Sequence, residues 1–274
     1  MNLLLAAEAE GGFHVPSLET LFEFPAFLFE DTLFALNRTG LLYLIAAGIV
    51  CALMLTAFRA PKVVPGKFQA AMESVVGFVR DNIVLEVMGP DGLRFVPFLT
   101  SLFLFIFVNN FYEIMPFVQF PTTGRMAVPA LLALTVWFVF IAVGVKNQGL
   151  KYFKNAIVLP GVPFAIHFLL VPIEFISTFI VRPLTLAVRL FANMMAGHIL
   201  LAIAFIAANA FLIDFHAWPF GFFPEGASGA VIGIFALAAG PLLVAFELLV
   251  GVLQAYIFTI LTAVYISGAL HPDH

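Results

Sequence analysis

Stretches of apolar, uncharged residues alternate with short polar segments along most of the chain. Three of these stretches, 39–58, 95–112 and 126–145, contain no charged residue. Each is close to the length of about 20 residues that a helix needs to cross a bilayer. They predict a first membrane-spanning helix over 39–58 and a transmembrane hairpin over 95–145.

The segment 64–87, between the first two spans, has a different pattern. Its apolar residues recur at helical spacing, whereas Lys67, Glu73 and Arg80 lie elsewhere on the helical wheel. The apolar positions are Phe68, Met72, Val75, Val76, Val79 and Ile83. This pattern predicts one amphipathic helix that lies at the membrane surface.

Two much longer apolar stretches fill the second half of the chain. The charged residues are Glu174, Arg182 and Arg189 in 173–213, and Glu247 in 226–270. As a single helix, each stretch would be roughly 60 Å long, about twice the ~30 Å thickness of the hydrocarbon core. Each stretch therefore either folds back as two short spans or forms one long, steeply tilted helix, and the pattern leaves both open.

The composition agrees with a membrane location. The chain is 63% hydrophobic and 10% charged, whereas a soluble domain carries about 25% charged residues. We therefore expect an all-α integral membrane protein, with a single membrane domain over 1–274 in contact with the lipid bilayer. The net charge of −4 argues against binding to nucleic acid. Because Cys51 is the only cysteine, disulfides within the chain and cysteine-ligated clusters are excluded.

The charges outside the spans predict an orientation. Basic residues follow the first and third spans, and such loops stay in the cytoplasm. They are Arg59, Lys62, Lys67, Lys146, Lys151 and Lys154. The acidic tail 1–38, the loop 113–125 and the link 214–225 are then extracytoplasmic. If each long stretch crosses once, the chain has five crossings and a cytoplasmic C-terminus.

Arg189 is the residue that most needs an explanation, because an arginine at the centre of a membrane helix costs about 2.5 to 3.5 kcal/mol on insertion scales. On a helical wheel it shares a stripe about 100° wide with other polar residues, while His198 falls on the opposite side. The stripe consists of Glu174, Thr178, Arg182, Thr185, Arg189 and Asn193. One face of this helix is thus expected to present polar groups, while a titratable imidazole points elsewhere.

A second patterned face is predicted in the last stretch, if Pro241 does not break the helix. It is about 60° wide and carries four glycines together with Glu247 and Gln254; the glycines are Gly229, Gly233, Gly240 and Gly251. Because glycines let another backbone approach closely, this face is either a surface for a partner or a contact between helices of the chain itself.

Structural alternatives remain for the charged residues as well. Arg182 and Arg189 are either functional or each paired with Glu174 or Glu247. His198 is either a titratable group of an ion path or a satisfied buried histidine, and no zinc ligands accompany it.

Two runs of sequence resemble a known family. RPLTLAVRLFANMMAGH at 182–198 and FELLVGVLQAYIFTILTAVY at 246–265 are similar to the signature of subunit a of F-type ATP synthases. NFYEIMP at 110–116 resembles the segment that closes an earlier family helix. PTTGRM at 121–126 departs from the family's Pro-Thr-Ala-Asp/Asn pattern, so no role is assigned to the loop 113–126.

The resemblance implies a fold and partners. It implies that 173–213 and 226–270 are two long, strongly tilted helices that face a ring of small hairpin c subunits. The other implied partners are the peripheral-stalk b subunits and the rest of the F1F0 complex. The long acidic tail and the charges of the loops favour a bacterial plasma membrane. No cofactor and no metal are expected.

The resemblance also implies the roles of five residues. Arg189 is the essential arginine opposite the carboxylates of the c-ring, His198 and Glu247 relay protons, and Asn193 and Gln254 are polar lining. The chain would be the stationary subunit that provides two half-channels, with no catalysis of its own. The sequence leaves open whether the ion is H⁺ or Na⁺.

Two other functions remain as alternatives. A self-contained proton-coupled secondary transporter would usually contain inverted repeats, and the sequence shows none. A redox subunit would hold haem between histidines, but the six histidines have no obvious paired spacing.

Overall fold

A computed structural model describes residues 38–115, 118, 120, 122–157, 164–212 and 227–270. Over these residues the regular secondary structure is helical, without strands. The predicted acidic tail, apart from residue 38, and the predicted link 214–225 lie outside the described residues.

Five helices in this part of the chain are long and apolar enough to cross a membrane, which confirms the predicted fold class. The first three are α1 (Arg38–Phe58), α3 (Val96–Ile114) and α4 (Ala127–Gln148). A 3-10 turn, Pro90–Phe95, leads into α3 after Gly89, whose φ of 66° suits glycine. Gly149, with φ 63°, ends α4 and is followed by the short helix α5 (Lys151–Ile157).

The predicted amphipathic helix corresponds to α2 (Lys67–Val79), which continues through a π-helical segment, Arg80–Leu85, to Glu86–Met88. Met72, Val79 and Ile83 of its predicted apolar face are buried against the helix bundle. Phe68, predicted on the same face, is exposed.

Each of the two long stretches is one continuous helix over the described residues. The first consists of α6 (Phe164–Ile176), a π-helical segment (Ser177–Val181) and α7 (Arg182–Leu212). The second is α8 (Ala227–Leu270), which continues through Pro241. Its 44 residues correspond to about 66 Å. The alternative of two short spans is therefore wrong for both, whereas the steep tilt stays a prediction.

The π-helical segment changes the predicted polar stripe. Pro183 has no N–H to donate to the carbonyl four residues earlier, which favours such an irregularity just before it. The extra residue in this turn rotates the positions before it by about 100° relative to those after it. Thr178 is consequently buried, while Thr185 and Arg189 are exposed. The single stripe predicted from a regular helix is thus wrong at its N-terminal end.

Helix α8 lies at the centre of the bundle and packs against α7, α3 and α4. Helix α7 also packs against α4, and α1 packs against α3. The buried core is formed where α3, α4, α7 and α8 meet, and the π-helical segment after α2 contributes Ile83 and Val84 to it. This packing brings together side chains from three membrane helices.

Candidate functional site

Arg189 lies on the exposed face of α7. Its neighbours Leu186 and Leu190 are buried against the bundle, whereas Leu184 and Val188 are 50% and 43% exposed. The guanidinium forms no hydrogen bond or ion pair with any residue that the structure describes. The alternative in which Glu174 or Glu247 pairs with it is therefore wrong, since both acids belong to the described part. A cation thus projects from an apolar surface without a hydrogen-bond or ion-pair partner in the described part of the chain.

His198 lies on another face of α7, close to an acid of α3. Its Nδ1 atom is 3.7 Å from Oε1 of Glu113. The two side chains are 17% and 2% exposed, so the pair is largely inside the protein. This distance suits an ion pair when the imidazole is protonated but is too long for a hydrogen bond.

Glu247 of α8 completes the cluster from a third helix. It is 6% exposed, and its carboxylate contacts Gly197, the residue before His198, so closely that a Cβ at 197 would overlap it. The carboxylates of Glu113 and Glu247 are also near enough to interact electrostatically. Two acids and an imidazole therefore meet where α3, α7 and α8 come together, and we name these residues (Glu113, His198 and Glu247) the acid–imidazole cluster.

This cluster can exchange protons. Carboxyl and imidazole groups both bind and release them, and buried charges without full compensation are costly, which favours sharing protons within the group. The sequence predicts His198 and Glu247 as site residues but not Glu113, because Glu113 directly follows an apolar stretch and falls in the predicted loop 113–125. The signal available in the sequence was its place in the NFYEIMP run.

The other two predicted site residues, Asn193 and Gln254, lie on the two long helices. Asn193, one turn after Arg189, is half-buried, and its Nδ2 atom is buried without a hydrogen-bond partner among the described residues. Gln254 of α8 is also half-buried. Their roles as polar lining remain predictions.

At Gly240 and Gly251, the glycine face of α8 packs against other helices of the same chain. A Cβ at Gly251 would lie 3.3 Å from Cβ of Asn110 on α3, and one at Gly240 would lie 3.4 Å from the ring of Phe205 on α7. Of the two alternatives for this face, a contact between helices of the chain itself is therefore the one that the structure has at Gly240 and Gly251. The glycines instead let α3 and α7 approach α8.

Arg182, at the start of α7, contacts an aromatic side chain of α8. Its guanidinium lies 5.3 Å from the centre of the Tyr265 ring on α8, a cation–π contact rather than the acid pairing considered above. Tyr152 of α5 is buried nearby. Burial raises the pKa of its phenol, and the charge of Arg182 partly offsets that shift.

The fold and the site define a helical membrane protein. On one side of α7 it has a cation that no described residue compensates, and on another side it has buried groups able to exchange protons. Such features are typical of ion-translocating membrane subunits. The family model of the ATP synthase A chain matches residues 40–267. ATP synthase subunit a of Rhodococcus erythropolis is 46% identical over 274 residues, covering 99% of this chain and 96% of that protein. The subunit a of Pseudarthrobacter chlorophenolicus is 40% identical over 272 residues, covering 99% and 98%.

The chain therefore belongs to the ATP synthase A chain family, which confirms the resemblance to subunit a. It is a membrane protein of an ATP synthase. This membership does not favour a self-contained secondary transporter or a haem-binding subunit.

Proposed function

We propose that this chain is the stationary proton-path subunit of a rotary ATP synthase, and that Arg189 faces the carboxylates of a rotating c-ring. The observation that carries the proposal is the exposed guanidinium on an apolar surface of α7, which is unpaired among the residues that the structure describes. A permanent cation in that position needs a carboxylate from another chain once lipid or protein covers the surface. The exposed apolar residues around it suit a partner within the membrane.

The proposed chemistry at Arg189 follows from the behaviour of charges in lipid. A ring carboxyl can face lipid when it is protonated and neutral, but desolvation opposes its charged form. The guanidinium stabilises the charged carboxylate as it passes, so the proton leaves at that point. The guanidinium keeps its proton throughout, because its positive charge is delocalised over the whole planar group. It therefore also repels a proton that would otherwise pass directly from one side to the other.

The acid–imidazole cluster is proposed as the path by which protons reach the ring from outside. Glu113 and His198 are 3.7 Å apart, and Glu247 adjoins Gly197 next to them. Asn193 and Gln254 are proposed as polar lining along this route. Protons then leave toward the cytoplasm by a second half-channel on the other side of Arg189. A crossing provides about 2.3 kcal/mol per charge for each 100 mV, which the ring converts into rotation.

The assembly and orientation complete the proposal. The two long helices, α6–α7 and α8, lie tilted against the c-ring, and the b subunits of the peripheral stalk hold the chain stationary. The N-terminus is extracytoplasmic and the C-terminus cytoplasmic, in a bacterial plasma membrane. The basic residues after α1 and α4 support this orientation.

The experiment that tests the proposal replaces Arg189 in the whole complex. Arg189→Lys should abolish ATP synthesis driven by an imposed proton gradient, because a compact ammonium, unlike guanidinium, gives up its proton readily when desolvated. Arg59→Lys, at an exposed position after α1, is the matched control and should synthesise ATP normally. Gradient-driven synthesis by Arg189→Lys at the control rate would refute the role of Arg189.

A further inference from the structure

A buried hydrogen bond joins α3 to the backbone of α8. Nδ2 of Asn110 donates to the Gly251 carbonyl at 2.9 Å, and both residues are buried. An amide buried in an apolar environment is costly unless it is hydrogen-bonded, so this bond favours one relative position of the two helices.

The surroundings of Asn110 restrict it further. Because Gly251 has no side chain, α3 can approach closely, and a Cβ there would lie 3.3 Å from Cβ of Asn110. On its other side, Oδ1 of Asn110 accepts a hydrogen bond from Thr123 Oγ1 at 3.4 Å. The side chain is thus held at both ends, between the turn Thr122–Gly124 and the backbone of α8.

This contact lies one helical turn from two members of the acid–imidazole cluster. Glu113 follows Asn110 by three positions on α3, and Glu247 precedes Gly251 by four positions on α8, so each acid shares a helix face with one partner of the bond. Sliding or rotating α8 relative to α3 would move Glu247 away from Glu113. The hydrogen bond therefore favours one separation of the Glu113 and Glu247 side chains.

We propose that Asn110 is a positioning residue for proton transfer, which acts by holding the Gly251 carbonyl and thereby fixing Glu247 relative to Glu113 and His198. The inference rests on the proposed proton path through these three residues. It assigns to Asn110 an action through the backbone of α8 rather than contact with the proton itself.

The test compares Asn110→Ala, Glu247→Gln and the double variant in the reconstituted whole synthase. Gradient-driven ATP synthesis should be about threefold to tenfold slower in Asn110→Ala, the range that corresponds to the loss of one buried hydrogen bond. If Asn110 acts through Glu247, the two effects are not additive, and the double variant is no slower than Glu247→Gln alone. Asn82→Ala is the matched control, since it removes an exposed asparagine whose Nδ2 bonds to Phe78 O of its own helix.

Each outcome decides one of the two claims. Unchanged synthesis in Glu247→Gln would refute the proton path and the inference with it. The inference alone would be refuted if Glu247→Gln synthesises ATP slowly but Asn110→Ala synthesises it at the normal rate. It would also be refuted if the effect of Asn110→Ala simply adds to that of Glu247→Gln in the double variant. If Asn110→Ala does not assemble with the other subunits, Gly251→Ala disturbs the same contact from α8 and should show the same non-additivity with Glu247→Gln. Failure of both variants to assemble would overturn the positioning role, because the contact would then be a requirement for folding.

Discussion

At Gly197 on α7, the addition of a single methyl group is expected to disturb the acid–imidazole cluster. A Cβ at 197 would overlap the three terminal atoms of the Glu247 side chain, Cδ and both carboxylate oxygens. The substitution Gly197→Ala therefore forces either the carboxylate or one of the helices to move.

The expected change in the free energy of unfolding follows from two opposing effects. Alanine is favoured over glycine within a helix by about 1 kcal/mol, whereas overpacking a filled interior costs about 1 to 3 kcal/mol. The net change in stability is thus between about zero and 2 kcal/mol of destabilisation. Because the end of a glutamate side chain moves more readily than a helix, the displacement falls mainly on Glu247. A shift near 1 Å in a reacting group costs up to about 100-fold in rate, so we expect ATP synthesis about 10-fold to 100-fold slower.

The assay measures gradient-driven ATP synthesis and thermal stability of the purified complex. Gly48→Ala in α1 is the matched control, since a Cβ there meets nothing within 4 Å, and it should leave synthesis unchanged. Glu247→Asp, which is one methylene shorter, should restore part of the rate in the Gly197→Ala background. Wild-type synthesis by Gly197→Ala would show that the position of the Glu247 carboxylate does not limit proton transfer.

Three further predictions concern the other end of the bundle. Gly144→Ala should destabilise the protein by about 1 to 3 kcal/mol in thermal unfolding, because its Cβ would overlap the Tyr152 ring; an unchanged melting temperature would contradict this. Burial raises the pKa of Tyr152 above 10.0, so its stabilising contribution is complete below that pH and is lost as the pH rises through the folded-state pKa. Tyr152→Phe should then reduce the alkaline loss of stability, and an identical pH profile would count against the shift. Tyr265→Leu should lower the free energy of unfolding by about 0.5 to 2 kcal/mol, because it removes the ring that Arg182 contacts. An equal loss of stability in an Arg182→Met background would exclude that contact as the cause.

The spans and the unusual arginine could be predicted because they depend on local composition. The predicted span 39–58 differs from α1 by one residue. For the two long apolar stretches, composition predicted a membrane location but left one helix or two open, and the structure has one helix for each over the described residues. Arg189 stood out because its cost in lipid is a property of the residue and its apolar neighbours. The wheel also placed His198 away from Arg189 correctly, since no irregularity interrupts α7 between them.

The errors have equally specific physical causes. The polar stripe was wrong around Thr178 because a π-helical turn before Pro183 changed the phase of the helix. The glycine face could not be assigned to an inner or outer surface, since close approach is possible for any backbone, and the structure shows that Asn110 and Phe205 occupy it. Glu113 was missed because a single acid near the end of a span has no periodic signal.

By itself, the sequence determined that this chain lies in a membrane, where its apolar stretches lie, and that the permanent cations Arg182 and Arg189 must be accommodated among apolar residues. Hydropathy and helical periodicity are local, so they carry this information without knowledge of the fold. Only the tertiary structure decided that Glu113, His198 and Glu247 meet, and that Arg189 remains exposed and without an acid partner among the described residues. Those relations depend on the register between α3, α7 and α8, which is fixed by contacts such as Asn110 with Gly251 that join residues far apart in the chain.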